Sequence, residues 1–477
     1  MPFDKDYFNS DDFQQLLRRY EASIASGDNL FLDADDLVDI ADYYNMTGEY
    51  ERAIDVVDQG INLYPDHVLL NVFMARRALD NEDIEEAERC ADSISDKDAP
   101  DYHYLRAEIL IAQNRIDEAD EYLREYSKTV DPDEYSDFVL DVANLYVDYD
   151  VSQKAYEWMM RTAGNDSDDF KELMARTLFG LGKYKDSQRL FNELIDHDPF
   201  SKNYWTALAT AQFMDEDYNA AVTSSEYAIA IDPNDPDSLL AKANGLMKLN
   251  NYEEAEKYYK RFSEACPDDA LGPLQQASCF INMDNHQAAI PLLQQALTLT
   301  DEKSQYLTQI YQELAFAYSA TGELDRALDT LELTKPLDCD HAEVSIIRGH
   351  LLLNHQRIEE AEEAFRQAMT MSNGDPKIIL HVIVSLYDNR FVKAAYHMLK
   401  RFYDIIVNDF NNGYAYLALC CWELHYDKEF LQYLKKSAEC NPNETRHVLG
   451  HLFPNETPVE DYYTYMKEKL KSQQTGI

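Results

Sequence analysis

Residues 203–233 read NYWTALATAQFMDEDYNAAVTSSEYAIAIDP, and residues 237–267 read DSLLAKANGLMKLNNYEEAEKYYKRFSEACP. Aligned at a spacing of about 34 residues, Trp205 falls on Leu239, Ala209 on Ala243, Tyr218 on Tyr252, Ala221 on Ala255, Ala228 on Phe262 and Pro233 on Pro267. The apolar positions recur every three or four residues, break and resume, so each copy predicts two antiparallel helices joined by a short turn. Small residues occupy the expected crossing point of each helix pair: Ala41 with Ala53, Ala107 with Ala119, Ala143 with Ala155, Ala209 with Ala221, Ala243 with Ala255, Ala277 with Ala289, Ala315 with Ala327 and Gly349 with Ala361. Only a small side chain allows two helix backbones this close without overpacking. Pro65, Pro199, Pro233, Pro267 and Pro442 stand where the second helix of a unit has to stop, because proline lacks the amide hydrogen and its ring opposes helix continuation.

Read outward from these two copies, the period returns about twelve times between Ala34 and Asn443. The pattern resembles the tetratricopeptide repeat family. The resemblance implies an all-α fold, a right-handed superhelical solenoid of antiparallel helix pairs. Some copies depart from the pattern: Ser187 and Phe430 replace the crossing alanine, Ile383 replaces the small residue before Ala395, and the copy from Val68 to Ala99 is short. In a solenoid each unit packs only on its neighbours, so both ends need capping. Residues 1–33 are expected to form an N-terminal capping region. There Phe13, Leu16, Leu17, Tyr20 and Ile24 make an apolar stripe, Ser10 an N-cap and Gly27 a stop. Residues 446–477 are expected to form a closing helix with Tyr462, Tyr463, Met466 and Leu470 on one face. Between the caps, residues 34–169 read as acidic N-terminal repeats and 170–445 as central and C-terminal repeats, with a candidate hinge at residues 164–169.

The formal charge is −46. Residues 1–170 hold 14 Lys or Arg against 43 Asp or Glu, and residues 171–477 hold 29 against 46. A surface this acidic repels phosphate backbones and anionic lipid surfaces, so neither nucleic acid nor membrane is an expected partner. The N-terminus shows no secretory pattern, and no stretch approaches 18 uninterrupted apolar residues. The seven cysteines lack Cys-x-x-Cys spacing and mostly fall in helical apolar patterns. They read as core residues in a reducing compartment, and the cytoplasm is the expected location. No phosphate-cradling loop, nucleophile elbow or kinase signature occurs. His447 and His451 share a helical spacing, but Val448 stands where a metalloprotease motif needs Glu. No catalytic residue, metal or cofactor is expected.

In the family, the first helix of each unit lines a concave wall. Carried over position by position, the resemblance implies a partner-binding surface that includes Asn203, Thr206, Phe213, Asn244, Met247, Leu274, Ser278, Gln312, Phe316, His350 and Tyr387. Amide, aromatic and aliphatic groups in this mixture suit an extended or helical peptide. One branch of the family holds C-terminal carboxylates with Lys, Asn and Arg on consecutive first helices. Asn244 matches one element, but Gln275, Gln276 and Ser278 supply no base, so tail recognition of that type is not expected. The sequence therefore predicts a non-catalytic scaffold for a protein or peptide partner carrying a basic segment. The alternative is an acidic chaperone, or an inhibitor that offers a basic protein carboxylates in place of phosphates.

Overall fold

A computed structural model describes residues 5–26, 32–301, 303–405, 410–454 and 457–475. The expected stop at Gly27 lies outside them. The chain divides into two compact units, Met1–Ile231 and Asp232–Ile477. Among the described residues each is all helix, without strands, and built from consecutive helix pairs.

The first unit opens with α1 (Lys5–Phe8) and α2 (Asp11–Ser26). Three pairs follow: α3 (Ala34–Met46) with α4 (Tyr50–Leu63), α5 (Val68–Asp80) with α6 (Ile84–Ser93), and α7 (Pro100–Ala112) with α8 (Ile116–Tyr126). Three more complete it: α9 (Tyr135–Asp148) with α10 (Ser152–Met159), α11 (Asp168–Gly180) with α12 (Tyr184–His197), and α13 (Lys202–Met214) with α14 (Tyr218–Ile231). The second unit begins with α15 (Pro236–Lys248) and α16 (Tyr252–Ala265), α17 (Leu271–Asn282) and α18 (His286–Thr298), and α19 (Leu307–Ala320) and α20 (Leu324–Glu332). It continues through α21 (His341–Asn354) and α22 (Ile358–Met371), α23 (Pro376–Asp388) and α24 (Val392–Ile405), and α25 (Tyr414–Glu423) and α26 (Asp427–Cys440). It closes with α27 (Pro442–Leu449) and α28 (Tyr462–Thr475).

One turn geometry joins the two helices of every pair. Two residues before each second helix stands one residue in the left-handed region, with φ from +58° at Asp150 to +87° at Gly322. The amide after it donates to the carbonyl five residues back, as Lys183 does to Leu178 at 2.9 Å and Asp217 to Gln212 at 2.9 Å. This bond satisfies a carbonyl that the helix end would otherwise orphan. First helices start on side-chain caps, including Asp33, Ser167, Ser201, Asp235, Asp340 and Asp375. Pro100, Pro236 and Pro376 occupy the first helical turn, where the missing amide hydrogen has no cost.

The expected crossing alanines are all fully buried. At Gly349 a Cβ would lie 2.4 Å from Phe365 Cε1, so only glycine fits that contact. Where Ser187 replaces alanine, its buried hydroxyl donates to the Ala175 carbonyl at 2.8 Å, which offsets the desolvation of a polar group at a helix crossing. Phe430 and Ile383 are core residues. At the front, α2 buries Phe13, Leu17 and Tyr20 against the first pair, and Ser10 Oγ accepts from the Phe13 amide at 3.3 Å. The expected stripe ends early, because Ile24 is 55% exposed. At the back, α28 buries Tyr462, Met466 and Leu470, whereas Tyr463 lies only partly covered near Lys435 and Lys467. No described helix is long and apolar enough to cross a membrane.

Candidate functional site

The residue directly after each crossing position projects from the first helix toward its neighbours. In the first unit these residues are Asp42, Arg76, Glu108, Asn144, Arg176 and Thr210. Adjacent members bond across repeats: Arg76 Nε donates to both carboxylate oxygens of Glu108, at 3.1 and 3.0 Å, and Arg176 donates to Asn144 at 3.0 Å. Around this file lies a groove of about 1000 Å³ that spans α3, α5, α7 and the end of α9. Its apolar lining includes Phe8, Val38, Leu69, Val72 and Phe73. Its charged lining is six carboxylates (Asp39, Asp42, Asp80, Asp101, Glu108 and Asp148) against Arg76 and Arg77.

Half of those carboxylates are already engaged. Tyr7 donates its hydroxyl to Asp39, Arg76 pairs with Glu108, and Arg176 donates to Asp148 at 2.9 Å. Asp42, Asp80 and Asp101 accept no hydrogen bond and join no ion pair among the described residues. Burial, reinforced by the Asp39 charge and opposed by Arg76, pushes Asp42 up to about 6. Burial also raises Glu108, against the pull of Arg76. The Asp39 hydrogen bond lifts the Tyr7 phenol to about 12.

The residues expected from sequence to bind a partner lie elsewhere. Asn203, Thr206 and Phe213 are on α13 of the first unit, Asn203 exposed and Phe213 packed edge-on against Tyr218 across the turn. In the second unit, Asn244 Oδ1 accepts from Tyr259 at 2.7 Å, and Met247 Sδ lies 3.8 Å from Cys279 Sγ. Phe316 meets the His350 ring at 5.8 Å, His350 Nδ1 lies 3.1 Å from Ser385 Oγ, and Tyr387 donates to Glu423. Gln312 is half-buried on α19. Two of these expectations are corrected. Leu274 is fully buried and Ser278 is 8% exposed, so both belong to the interior of their unit. The reason is the close seating of α17: a Cβ on Gly272 would lie 2.1 Å from Ser263 Oγ, and Glu313 covers Ser278 by accepting its hydroxyl at 2.8 Å. Burial raises Glu313 despite the Gln309 and Ser278 donors, and burial lowers His350.

His447 and His451 are exposed, and the described residues contain no group of three or more potential metal ligands. The thiols are free; burial pushes Cys90 up to about 11 and Cys279, Cys420 and Cys421 to about 12, the condition of packing residues and not of nucleophiles.

Comparison with known proteins matches tetratricopeptide repeat models to residues 74–133, 173–236, 212–272 and 342–375. The TPR repeat-containing protein YpiA of Bacillus subtilis (strain 168) is 20% identical over 374 residues, which is 76% of this chain and 85% of YpiA. Among solved structures, yeast Tom70 is 14% identical with a TM-score of 0.44, covering 93% of this chain and 96% of its own. MamA from Desulfovibrio magneticus RS-1, from residue 41 to its end, is 19% identical with a TM-score of 0.34, covering 37% of this chain and 99% of its own.

Proposed function

The chain belongs to the tetratricopeptide repeat family, and we propose that it is a non-catalytic cytoplasmic scaffold that holds a segment of a partner protein against the first helices of its repeats. The observation that carries this reading is the N-terminal groove. It has an apolar floor to take side chains and polar groups at successive repeats to fix the orientation of a bound segment. Half-buried Phe316, Gln312 and His350 offer a second stretch of the same character in the C-terminal unit.

The alternative, a mimic of nucleic-acid phosphates, calls for a wall that is charged throughout. The apolar lining of Val38, Leu69 and Phe73 between the carboxylates favours the scaffold.

A photo-crosslinking amino acid placed singly at Phe73, at Phe316 and at exposed Tyr227 on a second helix tests the proposal in cells. Expected is a discrete crosslinked protein from Phe73 or Phe316 that is absent from Tyr227 and survives high salt. Crosslinks of equal yield from all three, or many basic proteins lost with salt, would overturn it.

A further inference from the structure

We infer that the N-terminal groove takes a cationic segment of a partner protein, with an arginine or lysine side chain seated at Asp42 and an adjacent apolar side chain on Val38 and Phe73. The inference rests on the groove reading above and adds the chemistry of the occupant. An anionic or neutral segment is a poor match, since six carboxylates line the groove against two guanidinium groups. Among the described residues, Asp42, Asp80 and Asp101 accept no hydrogen bond and join no ion pair, and they stand on three successive first helices, α3, α5 and α7. A cation arriving there gains charge-assisted hydrogen bonds without breaking an existing ion pair.

Asp42 is the anchor among the three. Asp80 is exposed and Asp101, like Asp42, is partly covered, but Asp42 also has the Asp39 carboxylate beside it on the same helix, so a ligand cation there offsets both lost hydration and like-charge repulsion. Arg76 fills this role only in part: its charge acts on Asp42, but its Nε is committed to Glu108. The floor beneath is apolar, and a purely polyionic segment would leave half-buried Val38 and Phe73 uncovered. The occupant is therefore amphipathic, with basic and apolar residues in the same short stretch.

The test uses the full chain and two synthetic peptides, one alternating leucine with arginine and one in which citrulline replaces every arginine. Affinity is measured by calorimetry at 150 mM and 500 mM NaCl, with hydrogen exchange to locate the bound peptide. Expected is tighter binding of the arginine peptide, at least about tenfold over citrulline, as loss of a charge-assisted contact implies, with protection on α3, α5 and α7. Asp42→Asn should weaken it by about the same factor, while Asp427→Asn, an equal charge change in the other unit, should leave it unchanged.

Equal loss from both substitutions, or disappearance of all binding at 500 mM NaCl, would reduce the effect to net charge and overturn the inference. Equal binding of both peptides in the groove would overturn the cationic preference while leaving the scaffold proposal standing. Absence of protection on the groove with either peptide would overturn both. Self-association that excludes the peptide would identify a second copy as the occupant and likewise overturn it.

Discussion

Arg76 and Glu108, 32 residues apart and on first helices of adjacent repeats, form a two-point contact through one guanidinium nitrogen. Their environments differ: the Arg76 side chain is 51% exposed and that of Glu108 only 10%. Removing the arginine therefore strands a buried carboxylate, whereas removing the carboxylate leaves a cation that water can reach. Arg76→Ala is expected to destabilise the first unit by about 2 kcal/mol, below the range for fully buried pairs. Adding Glu108→Gln should recover a large part of it. Denaturant unfolding followed by hydrogen exchange on α5 and α7 checks both, and an Arg76→Ala protein as stable as its parent would mean the pair contributes nothing.

Asp42 gives a pH signature. Its folded value lies near 6, above the ordinary 3.8, so the folded state binds the proton more tightly than the unfolded chain. Its stabilising contribution is complete below about pH 4 and is lost as pH rises through 6. Asp39 on the same helix raises it, and Arg76 on α5 opposes. Asp42→Asn should thus stabilise the protein at pH 7.5, on the order of 1 kcal/mol after solvent screening is allowed for, with the difference vanishing near pH 4. Melting curves for the two proteins across this range decide it; a constant offset would mean the carboxylate is fully solvated.

The turns make a prediction of opposite signs. Glu216 sits at φ +64° and Gly182 at +70° in equivalent turns. A side chain in the left-handed region costs roughly 1–2 kcal/mol, while glycine adds unfolded-state entropy. Glu216→Gly is expected to stabilise by about 0.5 kcal/mol. Gly182→Ala should destabilise by about 1 kcal/mol, from backbone strain alone, since nothing lies within 4 Å of the added Cβ. Urea midpoints that move in the same direction for both would show that the turn does not govern stability.

Ala221 tests the register of the repeat. It is fully buried opposite Ala209, and Ala221→Asp puts an unpaired charge at a close helix crossing. The expected cost is several kcal/mol, with exchange protection lost in α13 and α14 and in the pair before them. A variant that melts like the parent would contradict the assigned crossing.

The helix pairs were legible because the 3.6-residue period and the crossing alanines are properties of local sequence, and they recur. The wall was legible in part. The residue after the crossing alanine names Asp42, Arg76 and Glu108 directly in the first repeats, although in α17 the same position, Ser278, is buried. What it does not encode is depth. Leu274 and Gln312 stand at the same first-helix offset, three residues before the crossing alanine, yet Gln312 is half-buried while α17 sinks against Ser263 through Gly272 and buries Leu274. Nor does it encode pairing between repeats: which carboxylates remain free follows from contacts across some 30 residues, such as Arg76 with Glu108 or Arg176 with Asp148. The left-handed turns were hidden for a similar reason, since Glu82, Gln356 and His425 occupy them as well as glycine does.

The closing helix supplies the last prediction. Tyr462 stacks on Phe453 with ring centroids 3.6 Å apart, and Met466 is fully buried in a cluster with Phe430, Leu434 and Leu449. These contacts cover the apolar face of the α25–α26 pair, as a following repeat would in the rest of the solenoid. Deleting residues 459–477 should therefore expose that face, lower the stability of α25 to α27 and promote association through it. Hydrogen exchange and sedimentation report the two effects separately. A truncated protein that stays monomeric with full protection on α26 would show that the helix does not close the core, and would recast it as an element displayed for another protein.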